Sequence, residues 1–197
     1  MRIGLDVDGI LYKWDLTAGY MLREVLPDSP YTGEPLLMQE SESWNHIQQI
    51  VAPEHWKWLW TEGVRLGLFR HGHMYKGTIQ AVRRLALQGD IVIITHRPKA
   101  AVPDTLAWLA YQQLPIAEIH ILTNGEPKSR VPNLDVFLDD KPENCTDMLK
   151  TGAEVCIWDR PWNQQAVDGV IRLSSWAAFE RVVEHRQHTR KLLGLAA

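Results

Sequence analysis

The sequence predicts an α/β fold built on a parallel sheet, and three observations carry that reading. Five short apolar or β-branched runs recur along the chain, each reads as a strand buried on both faces, and helix-like segments separate the last four. Strands that alternate with helices close into a parallel sheet through right-handed crossovers.

Strands are expected at residues 3–7, 91–94, 118–122, 136–138 and 154–158. Helices are expected at 78–88, ended by Gly89, at 104–113, and at 142–150, ended by Gly152. Pro142 suits a first helical turn, where an N–H has no partner to lose, and a glycine takes the left-handed turn that closes a helix. A last amphipathic segment, 175–185, places Phe179, Val182 and Val183 on one side and is expected to pack on the sheet. The basic tail 185–191 reads as a solvated helix end.

Residues 14–75 break the alternation. The stretch holds Tyr20, Tyr31, Trp44, Trp56, Trp58 and Trp60, too long and too aromatic for a loop, so a small helical insertion is expected, divided by Pro27, Pro30, Gly33 and Pro35. The expected organisation is a core of 1–13 and 76–197 with an insert at 14–75.

With 197 residues, 45% of them hydrophobic and 23% charged, the chain has the profile of one globular domain carrying an insertion. A net charge of −3 offers no basic excess for stable nucleic-acid binding, although a few local cations suffice for a small anion. Cys145 and Cys156 have no metal-ligand spacing and read as buried reduced thiols, which points to the cytoplasm. No apolar run approaches the ~20 residues of a membrane span, and the N-terminus lacks a signal-peptide layout, so no membrane partner is expected. A homodimer is compatible with this composition.

In an open parallel sheet, ligands bind beyond the carboxyl ends of the strands. There the first strand runs into Asp6-Val7-Asp8-Gly9, the second into Thr95-His96-Arg97-Pro98 and the fourth into Asp139-Asp140-Lys141-Pro142, while Lys128 lies in the loop between the third and fourth. A lone aspartate at a strand end caps the next helix as readily as it catalyses. Four that converge need a compensating cation, because crowded like charges repel, and hard oxygen ligands suit Mg²⁺.

These residues, in this order, resemble the four motifs of the haloacid dehalogenase (HAD) superfamily. Finer features resemble its 5'(3')-deoxyribonucleotidase branch: Asp6-Val7-Asp8-Gly9-Ile10-Leu11 followed by Trp14, Gly67-Leu68-Phe69, Phe137-Leu138-Asp139-Asp140-Lys141-Pro142-Glu143, and Asp159-Arg160-Pro161-Trp162-Asn163. The resemblance covers about residues 3 to 183 and implies a Rossmann-like three-layer sandwich with a helical cap inserted after the first strand. It also implies a magnesium-dependent phosphatase for a small phosphomonoester, a (deoxy)nucleoside monophosphate in that branch.

By the same resemblance, Asp6 is the nucleophile that forms an aspartyl-phosphate, and Asp8 is the acid and base that serves the leaving group and then the attacking water. The Asp6 carboxylate, the Asp8 backbone carbonyl and one or both of Asp139 and Asp140 would ligate Mg²⁺. Thr95 and Lys128 would hold the phosphoryl oxygens, and Gly9 would let the backbone approach them. His96 departs from the small hydroxyl residue common in the branch, leaving its backbone amide as a phosphate donor. Arg97 reads either as a second cation for the substrate or as a solvated loop arginine.

The insert corresponds in position to the superfamily's first cap module. Trp14 and Phe69, beside the two hinge strands, are the candidates for stacking on a base, whereas Trp56 and Trp60, one helical turn apart, read as core of the insert. His71-x-His73 lacks a third metal ligand at recognisable spacing and reads as a polar loop, and the sequon Asn144-Cys145-Thr146 lies in an expected helix and reads as accidental. Two rival readings remain: a phosphatase for another small phosphoester or a polynucleotide 3' end, and a silent binding module on the same fold. The second has no need of both Asp6 and Asp8.

Overall fold

The computed structural model describes residues 1–25, 46–123 and 125–195. A six-stranded sheet of β1 (Arg2–Leu5), β2 (Asp90–His96), β3 (Ile116–Leu122), β4 (Val136–Asp139), β5 (Glu154–Trp158) and β6 (Val170–Leu173) runs in the order β3-β2-β1-β4-β5-β6, every neighbour parallel. The chain travels outward from β1 to β3 and then returns to β4 on the other side of β1. That reversal opens a crevice at the carboxyl ends of β1 and β4, where open sheets of this kind bind ligands.

Each expected strand is present. The first ends at Leu5, two residues early, because Asp6 and Val7 already turn into the loop, although the Asp6 N–H still donates to the Leu138 carbonyl at 3.0 Å. Strand β6 was not expected: its four residues include Arg172, and its burial is partial, so no apolar run marks it.

Burial on both sheet faces explains the apolar runs of β1, β2, β4 and β5, whereas β3, expected to be buried on both faces, is an edge strand with only Leu122 buried. On one face Ile3, Leu5, Ile91, Ile93, Val136, Leu138 and Cys156 meet the buried residues of three helices, which follow β1, β2 and β6 in the chain. On the other, Val92, Ile94, Phe137, Val155 and Ile157 meet Cys145 and Met148. The first three helices are Thr78–Leu85, Val102–Tyr111 and Trp176–Leu192, and the helix on the second face is Pro142–Leu149. Both cysteines are free and buried, as expected. The last helix starts at a Ser175 cap and runs well beyond residue 185, so the basic tail is its end.

Within the insert, the described residues form α1 (Trp14–Val25), α2 (His46–Ile50), α3 (Pro53–Trp58) and a π-helical turn, Leu59–Gly63. In chain order the four core helices are therefore α4, α5, α6 and α7. Buried Leu22, Ile47, Leu59, Val64 and Leu68 of this segment pack into one cluster that also takes in Ala101 from the turn after β2. Tyr31, Trp44 and the dividing Pro27, Pro30, Gly33 and Pro35 lie outside the described residues. The two connections to the core run side by side: Tyr12 bridges Met74 antiparallel, and the Lys13 and Tyr75 N–H groups donate to the His73 and Leu11 carbonyls. No helix of the described residues is long and apolar enough to cross a membrane.

Candidate active site

The carboxyl ends of β1, β2 and β4 and the short turn Lys128–Arg130 converge beneath the insert. Lys128 is buried and donates to Asp6 Oδ1 at 2.6 Å and to Asp139 Oδ2 at 2.7 Å. Burial works against its ammonium, yet the Asp139 and Asp6 charges outweigh that and hold its pKa above the ordinary lysine value.

Asp139 is fully engaged. Its Oδ1 accepts from the Lys141 N–H, and its Oδ2 accepts from Asn144 as well as from Lys128. Asp140 is the reverse case, a fully buried carboxylate with neither oxygen hydrogen-bonded among the described residues. Burial, then the charges of Asp139 and Asp6, raise its pKa well above the usual carboxylate range. Burial likewise pushes Asp6 up to about 7, with Lys128 opposing and Asp139 and Asp8 adding. Ligand oxygens of Asp6, Asp139 and Asp140 all lie within 4.8 Å of one another. If all three were ionised, three carboxylates against one ammonium would leave two negative charges, and a buried unpartnered carboxylate costs several kcal/mol, so the ionised set calls for a cation. This set fits a divalent cation, with the free oxygens on Asp140.

Gly9 is required here for a reason the sequence did not show. It has φ +83°, and a Cβ on it would sit 1.9 Å from Asp140 Oδ2. Its N–H donates to the Tyr12 carbonyl at 3.1 Å, and its lack of a side chain makes room for Asp140 where Gly9 lines the cleft. Thr95, at the end of β2, is buried and its hydroxyl has no partner among the described residues, a donor left for an incoming oxygen. His96 donates from Nε2 to the Glu126 carbonyl at 2.7 Å, tying β2 to the loop that carries Lys128. Burial lowers its pKa against that hydrogen bond, with the Lys128 charge assisting.

Arg97 fits neither expectation. Its side chain is wholly buried, not solvated, and it is absent from the cleft lining because its guanidinium grips Asp8, with Nε to Oδ2 at 3.0 Å and Nη2 to Oδ1 at 2.7 Å.

Above the acids opens a cleft of about 240 Å³. Asp6, Asp8, Gly9, Thr95, Lys128 and Asp140 line its floor, and Trp14, Trp56, Trp60, Phe69, Tyr75 and Trp162 line its walls. Trp14 and Trp60 stack with centroids 5.9 Å apart, and Trp56 meets both edge-on. Trp56 packs against the buried cluster of the insert, as expected, and lines the cleft as well; the assignment of Trp60 to that core is corrected, because the π-helical turn holds it 38% exposed over the cleft. Phe69 is 1% exposed, wedged between Trp60 and Arg97.

The run Asp159-Arg160-Pro161-Trp162-Asn163, conspicuous in the sequence but given no task there, braces the floor from behind. Buried Asn163 donates to the Asp140 carbonyl at 2.7 Å and to the Trp158 carbonyl at 2.8 Å, while its Oδ1 accepts from the Arg160 N–H and from Arg172 of the unexpected β6. Arg160 in turn donates to the Gly9 carbonyl.

Over residues 1–188 the chain matches the family model described as 5' nucleotidase, deoxy (pyrimidine), cytosolic type C. A protein of Oceanobacillus iheyensis provisionally named a nucleotidase is 26% identical, covering 91% of this chain and 97% of that protein. A nucleotidase of Clostridium acetobutylicum is 21% identical, covering 93% and 94%. Among solved structures, the L-2-haloacid dehalogenase of Xanthobacter autotrophicus superposes with a TM-score of 0.61 at 12% identity, over 93% of this chain and 98% of that one. A protein of Bacillus subtilis described as a HAD-hydrolase, solved with magnesium, does so at 0.61 and 12%, over 92% and 97%. The resemblance in the motifs, the sheet order and the match over residues 1–188 agree: this chain is a HAD-superfamily hydrolase and belongs to the cytosolic type C 5' nucleotidase family.

Proposed function

We propose that the protein hydrolyses (deoxy)nucleoside monophosphates with Mg²⁺ through a phosphoenzyme on Asp6. The observation that carries this reading is the pairing of an electron-rich floor, whose Asp140 oxygens and Thr95 hydroxyl are buried without partners, with a cleft walled by aromatic rings.

Asp6 and Asp140, with the backbone carbonyl of Asp8, would hold the cation, leaving Asp139 to orient Lys128. A bound Mg²⁺ supplies charge neutralisation between an anionic nucleophile and an anionic phosphoryl group. An Asp6 carboxylate oxygen attacks phosphorus, the bond to the ester oxygen breaks, and the leaving alkoxide takes the proton of the Asp8 carboxylic acid. Water then attacks the same phosphorus and gives its proton to the Asp8 carboxylate. The acyl–phosphate P–O bond breaks, releasing inorganic phosphate and restoring Asp6. Thr95 donates to a phosphoryl oxygen throughout, and Lys128 offsets charge on the nucleophile side.

The floor contacts only the phosphoryl group, so preference for the rest of the substrate belongs to the walls. Flat indole and phenol rings favour a flat base, and stacking of one base on an aromatic side chain is worth ~1–3 kcal/mol. Deoxypyrimidine nucleotides, named in the family description, are the first substrates to assay. Asp6→Asn is nearly isosteric but cannot form the acyl phosphate, so it is expected to abolish phosphate release from a folded protein. Wild-type protein quenched during turnover should carry a hydroxylamine-sensitive phosphoryl group. Turnover by Asp6→Asn near the wild-type rate would refute the covalent route.

A further inference from the structure

Arg97 has no task in the scheme above, yet its burial calls for one. A guanidinium removed from water costs several kcal/mol unless its donors are met. Here Nε and Nη2 form a two-point pair with the two oxygens of Asp8, and Nη1 donates to Thr105 Oγ1 at 3.1 Å. The Thr105 hydroxyl spends its own proton on the Ala101 carbonyl at 2.8 Å, so it faces Arg97 only as an acceptor. Aromatic rings close both sides, Tyr12 at 4.8 Å and Phe69 at 4.6 Å from the guanidinium carbon. The backbone is anchored too, by the Arg97 N–H on the Leu122 carbonyl at 3.1 Å.

We propose that Arg97 is a positioning residue for Asp8: its fork fixes both oxygens of the resting carboxyl group and releases one of them when Asp8 turns to the ester oxygen. The inference rests on the acid–base role given to Asp8 above. Its geometry also links that role to the insert. Phe69 belongs to the inserted segment, and Tyr12 lies on the first connection to it, with its hydroxyl bonded to the Leu68 carbonyl. The insert therefore helps to shield the fork from water through Phe69. A lysine would keep the charge but lose the planar two-point grip.

The test compares Arg97→Met, Arg97→Lys, Asp8→Asn and the Asp8→Asn/Arg97→Met double variant, each checked for folding by thermal melt. On a deoxynucleoside monophosphate, whose alkoxide leaves poorly, both Arg97 variants are expected to lose about tenfold or more in kcat with little change in KM, since a misplaced general acid forfeits part of a ~10²–10⁴-fold effect. Single-turnover release of 4-nitrophenol from its phosphate needs no proton and should fall by less than about threefold. In the double variant, Arg97→Met should add nothing to the loss from Asp8→Asn, because a residue that acts through Asp8 has nothing left to position. Full multiplication of the two losses, an equal loss on both esters, or wild-type kcat in Arg97→Lys would each overturn the proposal. Wild-type turnover by Asp8→Asn would instead remove the acid–base role itself, and the proposal with it. Should Arg97→Met fail to fold, Arg97→Lys with Asp8→Asn/Arg97→Lys decides by the same criteria.

Discussion

Replacing Gly9 by alanine tests the floor of the site through a single methyl group. The added Cβ would stand 1.9 Å from Asp140 Oδ2, 2.5 Å from its Cγ and 3.0 Å from Oδ1, where ordinary contact starts at 3.4 Å. Asp140 must therefore yield by about 1.5 Å, the difference between 3.4 and 1.9 Å. It cannot withdraw along its backbone, because Asn163 holds its carbonyl at 2.7 Å. A functional group is held to within ~0.5 Å of its productive place, and a misplacement of ~1 Å can cost ~100-fold in rate. The expected outcome is a loss of about 100-fold in kcat/KM, with the Mg²⁺ midpoint, read by thermal shift, raised about tenfold or more. Left-handed backbone strain contributes separately, ~1–2 kcal/mol of stability for a residue with a Cβ. Gly152→Ala isolates that term, since Gly152 has φ +79° with nothing within 4 Å of the added Cβ. It should lower the melting temperature and leave kcat/KM intact. If folded Gly9→Ala kept activity within a few fold of wild type, at an unchanged Mg²⁺ midpoint, the placement of Asp140 as the open cation ligand would be wrong.

Trp14→Ala and Trp60→Ala should each lower kcat/KM on a nucleotide by about five- to a hundredfold, the equivalent of ~1–3 kcal/mol of stacking, while sparing a small alkyl phosphate; equal losses on both substrates would make these rings scaffolding. Burial raises the pKa of Asp6 to about 7 and that of Asp140 well above the usual range, so these acids bind protons in the folded chain that they release on unfolding. Without a divalent cation, stability should then fall as pH rises from the ordinary carboxylate range through about 7. Since Mg²⁺ needs both acids ionised, its stabilising shift should be small at acid pH and grow through neutrality, and a shift independent of pH would contradict the burial of these groups. Asn163→Ala leaves the Asp140 carbonyl unbraced and should weaken Mg²⁺ binding about 10- to 100-fold, as loss of outer-shell partners does elsewhere, which calorimetric Mg²⁺ titration would measure; unchanged affinity would confine Asn163 to fold stability.

The sequence by itself determined the sheet and the floor of the site, because both are written in local pattern. Strands buried on two faces need unbroken apolar runs, and a parallel sheet collects its chemistry where those runs stop, so Asp6, Asp8, Thr95, Asp139 and Asp140 were legible as one group, with Lys128 in the adjoining loop. Strand β6 was not, since a four-residue edge strand with an arginine in it buries too little to leave an apolar signature. Tertiary structure alone decided the division of labour among like residues. Asp139 and Asp140 are adjacent and chemically identical, but Lys128, Asn144 and the Lys141 N–H saturate the first and leave the second bare. Arg97 beside Thr95 looks like any loop cation until the fold encloses it between Tyr12 and Phe69 against Asp8. The spacing of Trp56 and Trp60 suggests a packed helical face, whereas the π-helical turn places Trp60 over the cleft. Spacing along the chain reports which residues share an element, but which atoms are left without partners depends on contacts between distant elements, and only the assembled fold contains those.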